Sequence, residues 1–151
     1  MDILELIQRG EQNVEGHNHP VRLRQAAEQF LCAYAPFEGF SVVAASPQAE
    51  RVLGAAMMLR PDLCAEGRGS TVLLDVNIAS GTLLARAARR LRERGNENML
   101  VAVALYALTS DAHEWDVPEV SQVVIAGGSD SQPSTRWELT ETRDDRVVLA
   151  G

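Results

Sequence analysis

Between Phe40 and Ala126 the chain alternates two hydrophobic rhythms. Short unbroken apolar runs are separated by stretches whose apolar residues recur at helical spacing. The runs FSVVAA (Phe40–Ala45), TVLLDV (Thr71–Val76), MLVAVALYAL (Met99–Leu108) and VSQVVIA (Val120–Ala126) predict four buried strands. The helical stretches are Val21–Tyr34, the segment after Ser46 up to about Leu59, and Thr82–Arg94. Ser46 is a natural cap and Pro47 suits a first turn; Pro61 and Gly95 close the second and third of these helices. Leu83, Leu84, Ala87, Ala88 and Leu91 are expected on one buried face. Residues 2–9 predict a short helix, GEQNVEGHNHP a loop, and Trp137–Leu149 extended chain, as two short strands.

Strands that alternate with helices and are apolar throughout belong to a parallel sheet covered on both faces. The expected fold is therefore α/β, a three-layer sandwich with a mainly parallel central sheet. Right-handed crossovers are expected, with the loops after the strands gathered at one sheet edge, where ligands bind.

The 151 residues suit a single domain, 1–151, with residues 1–20 as an N-terminal helix and loop. Apolar residues are 46% and charged residues 23%, an ordinary globular composition. Twenty-one acids against 14 bases leave a net charge of −7, which disfavours nucleic acid and anionic membranes as partners. No apolar run is long enough to span a bilayer, and MDILELIQRG is too acidic for a signal peptide. A cytoplasmic protein is expected, with Cys32 and Cys64 as buried reduced thiols.

Candidate chemistry concentrates in TVLLDVNIASGTLLARAARRLRERG. The backbone N–H groups of Ser80, Gly81 and Thr82 open a helix, whose dipole favours an anion. The Ser80 and Thr82 hydroxyls add donors, Gly81 allows close approach, and Asp75 can accept from sugar hydroxyls. A sugar phosphate fits this set; plain helix capping fits it too. Elsewhere, the His17 and His19 pair reads as a solvated loop rather than a metal site. His113, Glu114 and Asp116 read as a surface helix. Arg86, Arg89, Arg90, Arg92 and Arg94 form a solvated helix face, and Met57 and Met58 core packing. No metal site is expected.

The row LLDVNIASGTLL resembles the PRPP-binding signature of type I phosphoribosyltransferases, most closely the uracil phosphoribosyltransferase version, roughly LLDPMLATGGSA. The resemblance implies a ribose-binding Asp75 and a phosphate cradle of Ala79, Ser80, Gly81 and Thr82. FSVVAASPQAERVLGAAMMLRP is similar to the family's first strand and helix, VPEVSQVVIAG to a late strand, and DDRVVLAG to the closing segment, so the likeness spans about residues 22–151. The departures are substantial. Ser46-Pro47-Gln48 replaces the pyrophosphate-binding Arg-Ala-Gly, and Arg60–Ser70 is too short for the flexible hairpin. The hood is reduced, and of the base-reading segment only Asp145 and Arg146 remain as base-side candidates.

Phosphoribosyl transfer needs its leaving group neutralised and water excluded. The resemblance thus implies a protein that binds a phosphoribosyl or nucleotide ligand with little or no classical transferase activity and with no identifiable catalytic residue. An active compact phosphoribosyltransferase, or an enzyme on a phosphoribosylated substrate, is the alternative; a non-binding scaffold or partner subunit is the second. Mg²⁺ is implied only with PRPP. A homodimer or a protein partner is expected, the apolar face of residues 2–7 contributing.

Overall fold

A computed structural model describes residues 2–16, 19–109, 115–126 and 147–149. Five parallel strands form one sheet: β1 (Ser41–Ala44), β2 (Thr71–Ile78), β3 (Leu100–Ala107), β4 (Gln122–Ile125) and β5 (Val147–Leu149), in the order β1-β2-β3-β4-β5. The helices are α1 (Ile3–Gly16), α2 (Pro20–Tyr34), α3 (Pro47–Leu59) and α4 (Thr82–Glu93).

Strand alternation divides the core in two. Val72, Leu74, Val76, Val101, Val103 and Leu105 point to the face covered by α2 and α3, where Phe30, Ala49, Val52 and Ala56 meet them. Leu73, Leu100, Ala102, Ala104 and Ile125 point to the face covered by α4, through Leu84, Ala87, Ala88 and Leu91, and by Trp115, Val117 and Val120. The three-layer α/β expectation holds at this level.

The sheet order is sequential, so β1 to β2 and β2 to β3 step the same way across the sheet, yet α3 and α4 cover opposite faces. The two crossovers therefore have opposite hands, which corrects the expectation of uniformly right-handed connections. The physical route is visible in the Arg60–Ser70 linker. It passes the free edge of β1, where the Val42 N–H donates to the Cys64 carbonyl at 2.7 Å. It then packs Gly67 against Val43 and Leu91 on the α4 face: a Cβ there would sit 3.0 Å from Val43 Cγ2 and 3.1 Å from Leu91 Cδ2. The linker contains no strand and also covers the sheet edge.

Local rules explain the boundaries. Ser46 Oγ accepts from the Ala49 N–H at 3.1 Å, and Pro47 opens α3. Gly95, at φ +91°, follows α4 as its stop. Other expectations are corrected. β2 runs on to Ile78, since Asn77 and Ile78 still pair with Tyr106 and Ala107. α1 continues to Gly16 through most of the expected loop. Leu83 (43% exposed) and Met58 (84% exposed) lie outside the core, and Cys32 and Cys64 are exposed thiols. Leu83, Met58 and Cys32 belong to helices whose other faces already fill the core, and Cys64 lies in the Arg60–Ser70 linker, outside any helix or strand. Trp137–Arg146 lies outside the described residues. No helix among the described residues is long and apolar enough to cross a membrane.

Candidate functional site

Because α3 leaves β1 towards one face and α4 leaves β2 towards the other, the carboxyl ends of these neighbouring strands part company. A crevice between strands whose following helices diverge is where open α/β sheets bind ligands. Both helix starts, Ser46-Pro47 and Gly81-Thr82, lie at this edge.

Asp75 sits in β2 at this crevice, 4% exposed. Its Oδ1 accepts from Ser46 Oγ at 2.7 Å and from the Val76 N–H at 2.8 Å. Ser46 thus bridges two groups: its hydroxyl donates to Asp75 while its oxygen accepts from the Ala49 N–H and caps α3. Burial pushes the Asp75 carboxyl above its ordinary value, and the hydrogen bonds from Ser46 and Val76 pull it partly back. Oδ2 takes part in neither bond, and Asp75 lines the adjoining cleft.

The cleft encloses about 770 Å³. Gln48, Asp75, Asn77, Ala79 and Leu83 form one side, and α1 lies across the other with Ile3, Leu6, Ile7, Gly10 and Glu11. The Asn77 Nδ2 donates to the Gly10 carbonyl at 3.2 Å, and Gly10 keeps the helix close to Leu108, 3.6 Å from where a Cβ would stand. The lining is largely apolar. Its charged members are Glu11 and Asp75, both acids.

The expected phosphate cradle lies next to this cleft rather than inside its lining, which includes Ala79 but stops short of Ser80, Gly81 and Thr82. Gly81 is the N-cap of α4, at φ +87°, and offers no side-chain cap. Ser80 and Thr82, both exposed, bond to each other through their hydroxyls at 2.8 Å, so simple helix capping by either hydroxyl is not what is seen. Backbone amides at such a helix start have no intrahelical acceptor. The loop is held from the α4 face: the Asp116 N–H donates to the Ser80 carbonyl at 2.7 Å, and a Cβ on Gly81 would fall 2.5 Å from Val117 Cγ2. Trp115, just before this clasp, is buried, with its Nε1–H unpartnered among the described residues.

The structure therefore brings together Asp75 and Ala79, with Ser80, Gly81 and Thr82 alongside. Asp145, Arg146, His17, His113 and Glu114 lie outside the described residues. His19 caps α2, its Nδ1 accepting from the Val21 N–H at 3.3 Å. Among the described residues no group of His, Cys, Asp and Glu side chains could hold a metal ion. Sequence reasoning missed three participants: Ser46 as the partner of Asp75, α1 as the far wall, and Asp116-Val117 as the clasp. The apolar spacing of Ile3, Leu6, Ile7 and Gly10 was the available signal for the wall. No family model matches the chain, and no curated protein matches it.

Proposed function

We propose that this protein binds a phosphorylated ribose or a nucleotide at the carboxyl edge of its sheet and does not carry out classical phosphoribosyl transfer. The observation that carries the reading is the start of α4. Its N-cap supplies no side chain, its first amides are left for an outside acceptor, and a buried carboxylate stands beside it in a cleft of about 770 Å³. The phosphate would meet the amides and hydroxyls of Ser80, Gly81 and Thr82, and the ribose hydroxyls would donate to Asp75. The likeness of LLDVNIASGTLL to the PRPP signature supports the same assignment, and extends to the finer description of the fold as type I phosphoribosyltransferase-like with a reduced hood. The acidic lining argues against a diphosphate without its cation, so Mg²⁺ would arrive with PRPP rather than be held by the chain.

The test is calorimetric titration with ribose 5-phosphate and UMP, repeated on a Ser80→Ala/Thr82→Ala variant, whose changes are exposed and leave the packing alone. Saturable binding weakened about tenfold, the loss of roughly 1.4 kcal/mol expected for hydrogen bonds to a charged group, supports the reading. Binding unaffected by the variant, or no binding of either ligand, rejects it.

A second reading, a partner subunit or homodimer, is favoured by α1, where Ile3 and Leu4 are 72% and 67% exposed. On that reading a second chain covers Leu4 together with Ile3 at the rim of the cleft.

A further inference from the structure

The opposite, amino edge of the sheet carries a second concavity, separate from the cleft just described. Two turns form it: Glu66–Gly69 leading into β2 and Gly95–Asn98 leading into β3. They are braced against each other. Asn96 Nδ2 donates to the carbonyls of Gly67 and Gly69 at 2.9 and 3.1 Å. Arg92 Nη1 donates to the carbonyls of Asn96 and Asn98 at 2.9 and 2.6 Å, and its Nε pairs with Glu119. Gly67, Gly69 and Gly95 all have left-handed φ, between +69° and +91°, which lets both turns curl tightly. The result is a pre-shaped cup of about 350 Å³ with Leu91 at its floor.

Ion pairing commits other arginines but leaves those of the cup available, as it does several on the helix faces. Arg24 pairs with Glu28, Arg60 with Glu38 and Asp62, and Arg92 with Glu119. Arg68 and Arg94 both line the cup, and among the described residues neither has an ion-pair partner. Two guanidinium groups beside one concavity suit an oxyanion, which each can grip through paired N–H donors. Glu66 lines the cup as well, so a bare anion would meet a like charge on one side. A ligand that carries hydroxyls beside its anionic group resolves this, because hydroxyls donate to a carboxylate.

We propose that this cup is a binding site for a small hydroxylated phosphate monoester, with the phosphate between Arg68 and Arg94 and the hydroxyls towards Glu66 and Asn98. The volume lies at the low end of small-molecule sites, about 300–1,000 Å³, which fits a short polyol or sugar phosphate.

The probe is glycerol 3-phosphate, titrated at constant ionic strength while amide signals are followed by ¹H–¹⁵N NMR. Saturable shifts are expected for the backbone amides of Gly67, Gly69 and Gly95 and for the side-chain amides of Asn96 and Asn98. An Arg68→Gln/Arg94→Gln variant should weaken the apparent affinity at least tenfold with an otherwise unchanged spectrum, which itself reports the fold. Glu66→Gln should narrow the advantage of glycerol 3-phosphate over inorganic phosphate. Shifts that do not saturate, that survive the double arginine variant, or that are confined to residues 80–82 overturn the proposal. The last outcome would leave the carboxyl-edge reading standing, and absence of shifts at 80–82 alone would not touch this one.

Discussion

Asp75 shows how much one side chain is asked to do. Its Oδ1 holds Ser46 and the Val76 N–H, while burial raises its pKa. Between the unfolded pKa of an aspartate and this raised folded value, the folded state keeps a proton that the unfolded state has released. Stability therefore falls as pH rises through that window. Asp75→Asn keeps an acceptor for both donors and removes the titration, so its urea midpoint should vary less with pH across the same window than that of the parent. Equal pH profiles would show that Asp75 is not buried as described. The same charge would oppose an anion held at Ser80–Thr82, as the proposed reading has it. Sulfate, which does not titrate near neutrality, should bind more weakly as pH rises through the Asp75 transition, and Asp75→Asn should flatten that dependence. Gly81 is the other residue with no substitute. At φ +87°, and with Val117 Cγ2 only 2.5 Å from where a Cβ would stand, Gly81→Ala carries both backbone strain and overlap. A loss of about 1–3 kcal/mol is expected by chemical denaturation, with partial recovery on adding Val117→Ala. No loss would mean that the Asp116-Val117 clasp does not press on this glycine.

At the scale of elements, α3 and α4 decide where the site can be. Ser46 links them indirectly, since it caps α3 and holds the carboxylate of β2 beside the start of α4. Ser46→Ala should cost about 0.5–2 kcal/mol, the range for a lost N-cap. In a double-mutant cycle with Asp75→Ala, the two losses should fall short of additive, because both remove one bond. Strict additivity would separate the cap from the carboxylate. The start and stop of α3 and α4 were legible, because Ser46-Pro47, Pro61 and Gly95 act through their own backbone geometry. The four central strands were legible for a related reason, that apolar runs between such punctuation have few alternatives. What was not legible is tertiary. Nothing in Thr71–Val76 alone shows that Asn77 and Ile78 continue the ladder, because β3 supplies their partners. The length of α1 was hidden by glycines at Gly10 and Gly16, yet Gly10 is where the helix meets Leu108 and Asn77. The opposite hands of the two crossovers follow from the linker's route around β1, which no local pattern encodes. Of the site, Asp75, Ala79, Ser80, Gly81 and Thr82 could be picked out because an acid and a glycine interrupt an apolar strand–helix pattern. Ser46 and Asp116 stood out only as a cap and as surface, because their bonds to Asp75 and Ser80 join residues far apart in the chain.

For the whole molecule the deciding quantity is charge at the carboxyl edge. A chain of net charge −7 concentrates no base there: the described lining of the cleft has Glu11 and Asp75 as its charged groups. Phosphoribosyl transfer builds negative charge on departing pyrophosphate while positive charge develops at the ribose. Stabilising that separation requires donors or cations aimed at the leaving group. Ser46 cannot serve, since its hydroxyl is committed to Asp75. Gln48 lines the cleft but is neutral, and the Arg60–Ser70 linker lies along β1 rather than over the site. On the proposed reading the Ser80–Thr82 amides would act on a phosphate in the ground state as well as in the transition state, and uniform binding leaves the chemical barrier where it was. Uracil, PRPP and Mg²⁺ with the isolated chain should therefore yield UMP far below about 1 s⁻¹, the lower end of ordinary enzymes. The measurement is radiometric UMP formation, with Asp75→Ala as the control. Turnover near that rate, abolished in the variant, would show that the transferase chemistry is supported without a basic clamp and would replace the binding-only reading by an enzymatic one.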